Sequence, residues 1–211
     1  MESDSDFPCY GKKMNNGFHE LDDQNIWKIF KRGNKGALAY IYQTYFFKLY
    51  NYGFNICGEE ELVKDSIQEL FIYIWEKRNS LGETNSIKNY LFKSLRRKLF
   101  AEFKKDQNAM LKRGIPENYY FEFVFSKEHT MIDRQITIEQ KEELVKALNQ
   151  LPQRLKEVLF LRYYEQLSPT EIASVMDITT NSTYVFLSRA IDFLKKHVHK
   201  VYTLMLASSL C

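Results

Sequence analysis

Glycine and proline are scarce in this chain: eight glycines and four prolines among 211 residues. So few turn formers, beside many Tyr and Phe, count against a sandwich or barrel and favour long helices with short connections. The three cysteines, Cys9, Cys57 and Cys211, lie far apart and form no CxxC. They suggest neither a zinc site nor a disulfide framework, and fit a reducing compartment. No apolar run is long enough to span a bilayer. The opening MESDSDFPCY is acidic and polar, unlike a signal peptide, so the expectation is a cytoplasmic protein without membrane insertion. His19, His129, His197 and His199 lack ligand spacing, and the last two would point to different helix faces. There is no Gly-rich phosphate loop, nucleophile elbow or zincin motif. The sequence therefore assigns no catalytic residue, metal ligand or cofactor, and an enzyme is not expected. Net charge is only +3, so any argument for nucleic acid must rest on how charge is distributed.

One such argument lies near the C-terminal end. Ser168-Pro169-Thr170-Glu171 has a cap, a proline suited to the first helical position and a glutamate able to reach back. A short helix with Ile172, Ala173 and Met176 on one face follows, then a turn at Asp177 to Thr180, with Thr180 or Asn181 as the next cap. A longer helix runs from about Asn181 to Lys196, with Phe186, Leu187, Ala190 and Leu194 at helical spacing. This is the pattern of a helix-turn-helix, although any pair of packed helices could produce it.

Upstream, a polar tail to about residue 22 precedes an amphipathic helix carrying Ile26, Trp27, Ile29 and Phe30, which stops near Gly33. A second helix spans Ala37 to about Ile56 and is stopped by Cys57-Gly58. The third, about Glu59 to Lys77, holds six acids and one base over residues 59–76, a net of −5. Val63, Ile67, Leu70, Phe71 and Ile74 form its apolar stripe, while Asp65, Gln68, Glu69, Ile72 and Glu76 share another. A solvated face and a partner surface both explain that second stripe; the apolar groups among the acids suit a partner. Residues 76–86 are a polar loop. The fourth helix, Ile87 to Lys105, carries seven bases and one acid, a net of +6. Leu91, Leu95, Leu99 and Phe103 suit a core; Lys93, Arg96, Arg97 and Lys104, with Tyr90 and Phe92 among them, suit phosphate contacts and base stacking. A merely solvated basic helix is the alternative.

Periodicity fails over residues 106–137. Gly114-Ile115-Pro116 breaks any helix, and the aromatic run Tyr119 to Phe125 reads as an extended linker patch, ordered against a partner, more readily than as a lone strand. Helices resume at Ile138. Leu144, Ala147, Leu148 and Leu151 lead to Pro152, which starts a helix through Tyr164. A last helix is expected after Val198. The fold expected is all-α: two small helical domains joined by a linker, with a tail at 1–22, domains at 23–105 and 138–211, and the linker at 106–137.

Three stretches resemble the extracytoplasmic-function sigma factors, small specificity subunits of bacterial RNA polymerase. Asp65-Ser66-Ile67-Gln68-Glu69-Leu70-Phe71-Ile72-Tyr73-Ile74-Trp75-Glu76 resembles the region 2.2 pattern D-x-x-Q-E-x-F-x-x-x-W. Ile87 to Phe92 with the basic run after it resembles regions 2.3 to 2.4. Leu148 to Pro152, Val158 to Tyr163 and the helix-turn-helix resemble region 4, with Lys156 and Leu159 in place of that family's usual Arg and Phe. The likeness runs from about Asp23 to Lys196, in the family's order.

The resemblance implies binding to core RNA polymerase and to promoter DNA, and admits an anti-sigma factor as a further partner. Asp65, Gln68, Glu69 and Ile72 match the face that docks on the polymerase clamp helices. Asn79, Ser86, Asn89, Lys93, Arg96, Arg97 and Lys104 match the part that melts and reads the −10 element. Asn181, Tyr184, Val185, Ser188 and Arg189 would face the major groove of the −35 element. Departures are visible: Arg97 stands where asparagine is common, Ala101 where an acid is common, and Tyr184 and Phe186 near positions usually basic. A recognition face with one cation suggests weak, less salt-sensitive duplex binding. It also leaves open a sigma-like adaptor that binds polymerase and reads little DNA.

Overall fold

A computed structural model of the 211-residue chain describes residues 17–106, 119–123 and 138–197. The described residues are helical or irregular, with no strand, as the all-α expectation required. The tail to residue 16, most of the linker and the expected last helix after Val198 lie outside them.

Four helices build the N-terminal half: α1 (Asp23–Lys31), α2 (Lys35–Cys57), α3 (Glu60–Lys77) and α4 (Ile87–Asp106). Short polar side chains start the first two. Asp22 accepts from Asn25 N, and Asn34 from Ala37 N, each filling one of the donors a helix start leaves open. Gly58 ends α2 in a left-handed conformation, φ 72°, that costs a residue without Cβ nothing. Trp27, Phe30, Ile41, Leu49, Ile67, Phe71, Leu91 and Leu95 are the buried centre. The loop before α4 is pinned: Trp27 Nε1 donates to Gly82 O at 2.9 Å, and Ile87 N to Asp23 Oδ2 at 2.7 Å. Asp23 thus caps α4 from another helix.

The C-terminal half contains α5 (Ile138–Gln150), α6 (Gln153–Leu159), α7 (Pro169–Met176) and α8 (Thr180–His197). Pro152 precedes α6, where its missing N–H costs nothing. The helix expected to reach Tyr164 widens after Leu159 into a π turn over Phe160–Tyr164, where Glu165 N bonds Phe160 O. At α7 the full capping box forms, and Asp177 closes the helix at φ 57°. The cap of α8 lies one residue earlier than expected: Thr179 Oγ1 accepts from Ser182 N at 3.0 Å.

The aromatic linker patch is ordered by the chain itself, with no partner needed. Tyr119, Phe121 and Phe123 alternate inward and are buried. Phe121 N donates to Gln153 Oε1 and Phe123 N to Asn149 Oδ1, both at 2.9 Å, while Glu122 N donates to Asn55 O of α2. An extended segment thereby finds hydrogen-bond partners without a second strand. It is a strap touching both halves, which are clamped together with α4 against α7.

Candidate nucleic-acid interface

Helical periodicity separates the basic residues of α4 into two sets. Neighbours in sequence point about 100° apart, whereas residues four apart share a face. Lys88, Phe92 and Arg96 fall on one face and meet the C-terminal half. Lys93 and Arg97 fall beside it.

Arg96 does not face solvent. Its side chain is 3% exposed, and its guanidinium bonds both oxygens of Glu157 from α6, Nε to Oε1 at 2.7 Å and Nη2 to Oε2 at 3.1 Å. Two hydroxyls complete the carboxylate's shell: Tyr52 donates to Oε1 at 2.5 Å, and Tyr119 of the strap to Oε2. The guanidinium carbon also lies 4.5 Å from the Phe100 ring centroid. Burial works to raise the Glu157 carboxyl, but the Arg96 charge and the donors from Arg96, Tyr119 and Tyr52 outweigh it and hold the group below its ordinary range. Burial and then the Glu157 charge push the Tyr52 and Tyr119 hydroxyls well above theirs. The cluster is a charged pair kept charged by full hydrogen bonding, the one condition under which ions tolerate burial.

Two further α4 cations reach the same neighbour. Lys88 Nζ pairs with the buried Glu165 carboxylate at 2.9 Å, and also bonds the Glu165 carbonyl. Lys93 Nζ donates to Ser174 Oγ of α7 at 3.1 Å. The expectation that Arg96 and Lys93 present themselves to phosphates is therefore corrected for this closed arrangement: protein acceptors occupy both. Phe92 is corrected too. It is buried against the Tyr52 ring, 5.0 Å between centroids, and offers no face for a base. Tyr90 packs on Trp27.

The remaining candidates differ in exposure. Arg97 is exposed, and Asn79 is exposed on the turn Arg78–Ser80. Ser86 Oγ accepts from Asn89 N at 3.1 Å, so it serves the start of α4. Asn89 Oδ1 is buried without a hydrogen-bond partner. The Lys104 side chain lies outside the described residues. On α3, Asp65, Gln68, Glu69 and Ile72 are all exposed on one face, and Glu69 pairs with Lys98 of α4. On α8, Asn181, Tyr184, Val185, Ser188 and Arg189 are all exposed, with Tyr184 at 58%, while Phe186 turns against the core.

Glu157, Tyr52 and Glu165 escaped the sequence reading. A glutamate inside the run Lys156 to Leu161 looks like an ordinary polar helix position, beside Lys156, and its only signal is the apolar run Val158 to Leu161 that follows it. Among the described residues no group of His, Cys, Asp and Glu could hold a metal, and no helix is long and apolar enough to cross a membrane.

Residues 141–194, which include the helix-turn-helix, match the family model described as Sigma-70, region 4. None of the curated proteins matches the chain. Two solved structures share its fold. CnrH, solved in complex with the cytosolic domain of CnrY, aligns at TM-score 0.54 and 18% identity over 82% of this chain and 95% of CnrH. The sigma factor RpoE, solved with the anti-sigma factor NepR from Bartonella quintana, aligns at TM-score 0.53 and 17% identity over 79% and 96%. At these identities the likeness carries the fold.

Proposed function

We infer that the chain belongs to the sigma factors of the extracytoplasmic-function type and directs promoter-specific initiation by core RNA polymerase. The observation that carries this is the region 4 match falling on a helix-turn-helix whose second helix exposes a whole face. Within that function we assign the exposed stripe Asp65, Gln68, Glu69 and Ile72 to the polymerase. Carboxylates and an amide beside an apolar side chain suit a basic, helical partner surface. We assign Asn79, Ser86, Asn89, Lys93, Arg97 and Lys104, with Arg96 once the two halves part, to the −10 element, and the exposed face of α8 to the −35 duplex. The domain boundaries follow: 23–105 for polymerase and −10 binding, 106–137 as connector, 138–211 for the duplex. No catalytic step is assigned to the chain itself. Since RpoE was solved with an anti-sigma factor, we also assign this chain a partner of that kind. A cytoplasmic location follows from the same function.

Purified chain added to core polymerase should start transcripts at mapped promoters that core alone ignores. Binding to core with no promoter opened would leave the adaptor reading, which Arg189 favours as the single cation among Asn181, Tyr184, Val185, Ser188 and Arg189. Reversing Asp65 and Glu69 together should weaken core binding about tenfold or more at unchanged helix content. Equal affinity by titration would remove the docking assignment.

A further inference from the structure

The outward face of α8 lacks cations where it shows apolar surface. From Thr180 to Ser188 the sequence holds no Lys or Arg. Tyr184 and Val185 stand side by side on that stretch, 58% and 38% exposed. Asn181 and Ser188 lie one turn to either side, and Arg189 comes only at the trailing end. The face is held in place from behind. Leu187, Ala190 and Leu194 are buried, and Phe186 packs against the core. Thr183 is fully buried and donates Oγ1 to Thr179 O at 3.3 Å, while Thr179 Oγ1 accepts from Ser182 N. Tyr184 and Val185 are thus the apolar side chains that the leading turns leave outside.

Base pairs present polar edges in the major groove, and the apolar group found there is the thymine C5 methyl. A valine set against guanine N7 and O6, or cytosine N4, strips water from those atoms and returns no hydrogen bond. Set against the methyl, it buries apolar surface on both sides. Guanine is read most often by Arg or Lys, and the leading turns offer neither, whereas an Asn amide suits adenine N6 and N7. We propose that α8 reads A·T pairs, with Val185 and the Tyr184 ring against thymine methyls and Asn181 on adenine. The proposal rests on the reading of α8 as the duplex-binding helix, and names what that helix selects. Residues 181 to 188 span about 10 Å of helix, so the site covers about three consecutive base pairs. Arg189, at the trailing end, is left to take a phosphate, which fixes register without reading sequence.

The test uses the full chain with core polymerase on a promoter mapped by transcription. Every thymine of the upstream duplex element is replaced by deoxyuridine, which keeps the base pairing and removes only the methyl. Fluorescence anisotropy of labelled template reads the affinity of the assembled complex, which should fall about fourfold for each methyl contacted. The same replacement in the spacer downstream of the element should change nothing. Val185→Ala should weaken binding to the thymine template by a similar factor and cost little on the deoxyuridine template, because methyl and side chain are the two partners of one contact. The deoxyuridine arm needs no variant, so it carries the test should Val185→Ala lose helix content by circular dichroism. Arg189→Ala should weaken both templates alike and lower the salt dependence. Equal affinity for the two templates overturns the proposal, as does a mapped upstream element rich in G·C, or a Val185→Ala cost that is the same on both templates. A spacer replacement that costs as much places the effect in DNA stiffness and overturns it too. All of these leave promoter-specific initiation standing. A complex that starts no transcript at any promoter overturns that function, and the proposal with it.

Discussion

Gly53 shows how closely the helices of the N-terminal half approach. A Cβ built there would lie 2.8 Å from Val63 Cγ1 and 3.3 Å from Cγ2, with Leu99 Cδ1 at 3.5 Å. Val63 is buried and β-branched, with little rotamer freedom to yield. Alanine is the better helix former by about 1 kcal/mol, but overpacking of this kind costs about 1–3 kcal/mol. Gly53→Ala should therefore come out destabilising by about 1–2 kcal/mol in denaturant unfolding. Paired with Val63→Ala, the two changes should sum to less than their separate costs, because each relieves the other. A stabilised single variant would show that α2 and α3 can slide apart there. The same scale explains why Arg96 turns inward. Arg96 and Arg97 are adjacent in sequence and similar in chemistry, yet one rung of the helix turns the first to Glu157 and the second to water. Counting charges cannot separate them; the phase of the helix relative to a distant domain does.

At the scale of elements, local chemistry was legible and tertiary fit was not. The capping box of α7 was readable because all its parts lie within four residues: Ser168 Oγ accepts from Glu171 N at 3.3 Å, and Glu171 Oε2 accepts from Ser168 N at 2.9 Å. Burial acts to raise the Glu171 carboxyl, but the Ser168 N–H and hydroxyl hold it below its ordinary range. Ser168→Ala should cost about 1 kcal/mol and Ser168→Gly only a few tenths. For a chain of this size 1 kcal/mol is a melting shift of about 2–4 °C, so calorimetry of both variants checks the cap. An equal loss in the two would assign the effect to something other than capping. The strap was harder. Its aromatic run is plain in the sequence, but that Tyr119, Phe121 and Phe123 are buried while Tyr120 is exposed is not, since Tyr120 is aromatic too. What lies opposite it, side-chain amides from α5 and α6 and a carbonyl from α2, comes from elements far along the chain. The acidic stripe of α3 and the outward face of α8 were legible for the opposite reason: exposure on a single helix follows from its own periodicity.

For the whole molecule, association of the two halves should depend on pH at both extremes and be flat between. Glu157 is held below its ordinary range when folded, so its contribution is complete above the unfolded carboxylate value of about 4.3 and declines as pH falls below it. Tyr52 and Tyr119 are raised when folded, so their contribution is complete below the ordinary phenol value of about 10 and declines as pH rises past it. Arg96 faces Glu157 and stays charged throughout, so it adds no titration of its own. Small-angle scattering across the pH range should find the chain compact around neutrality and progressively expanded towards both the acid and the alkaline end. The exposed pairs Lys64–Glu60 and Lys31–Glu83 also lower their carboxyls, Glu60 and Glu83, but solvent screens them. Added salt separates the contributions, since it weakens exposed pairs and reaches buried ones far less. Acid expansion that persists unchanged at high salt traces to the buried pairs Arg96–Glu157 and Lys88–Glu165; expansion abolished by salt would place the pH response on the surface.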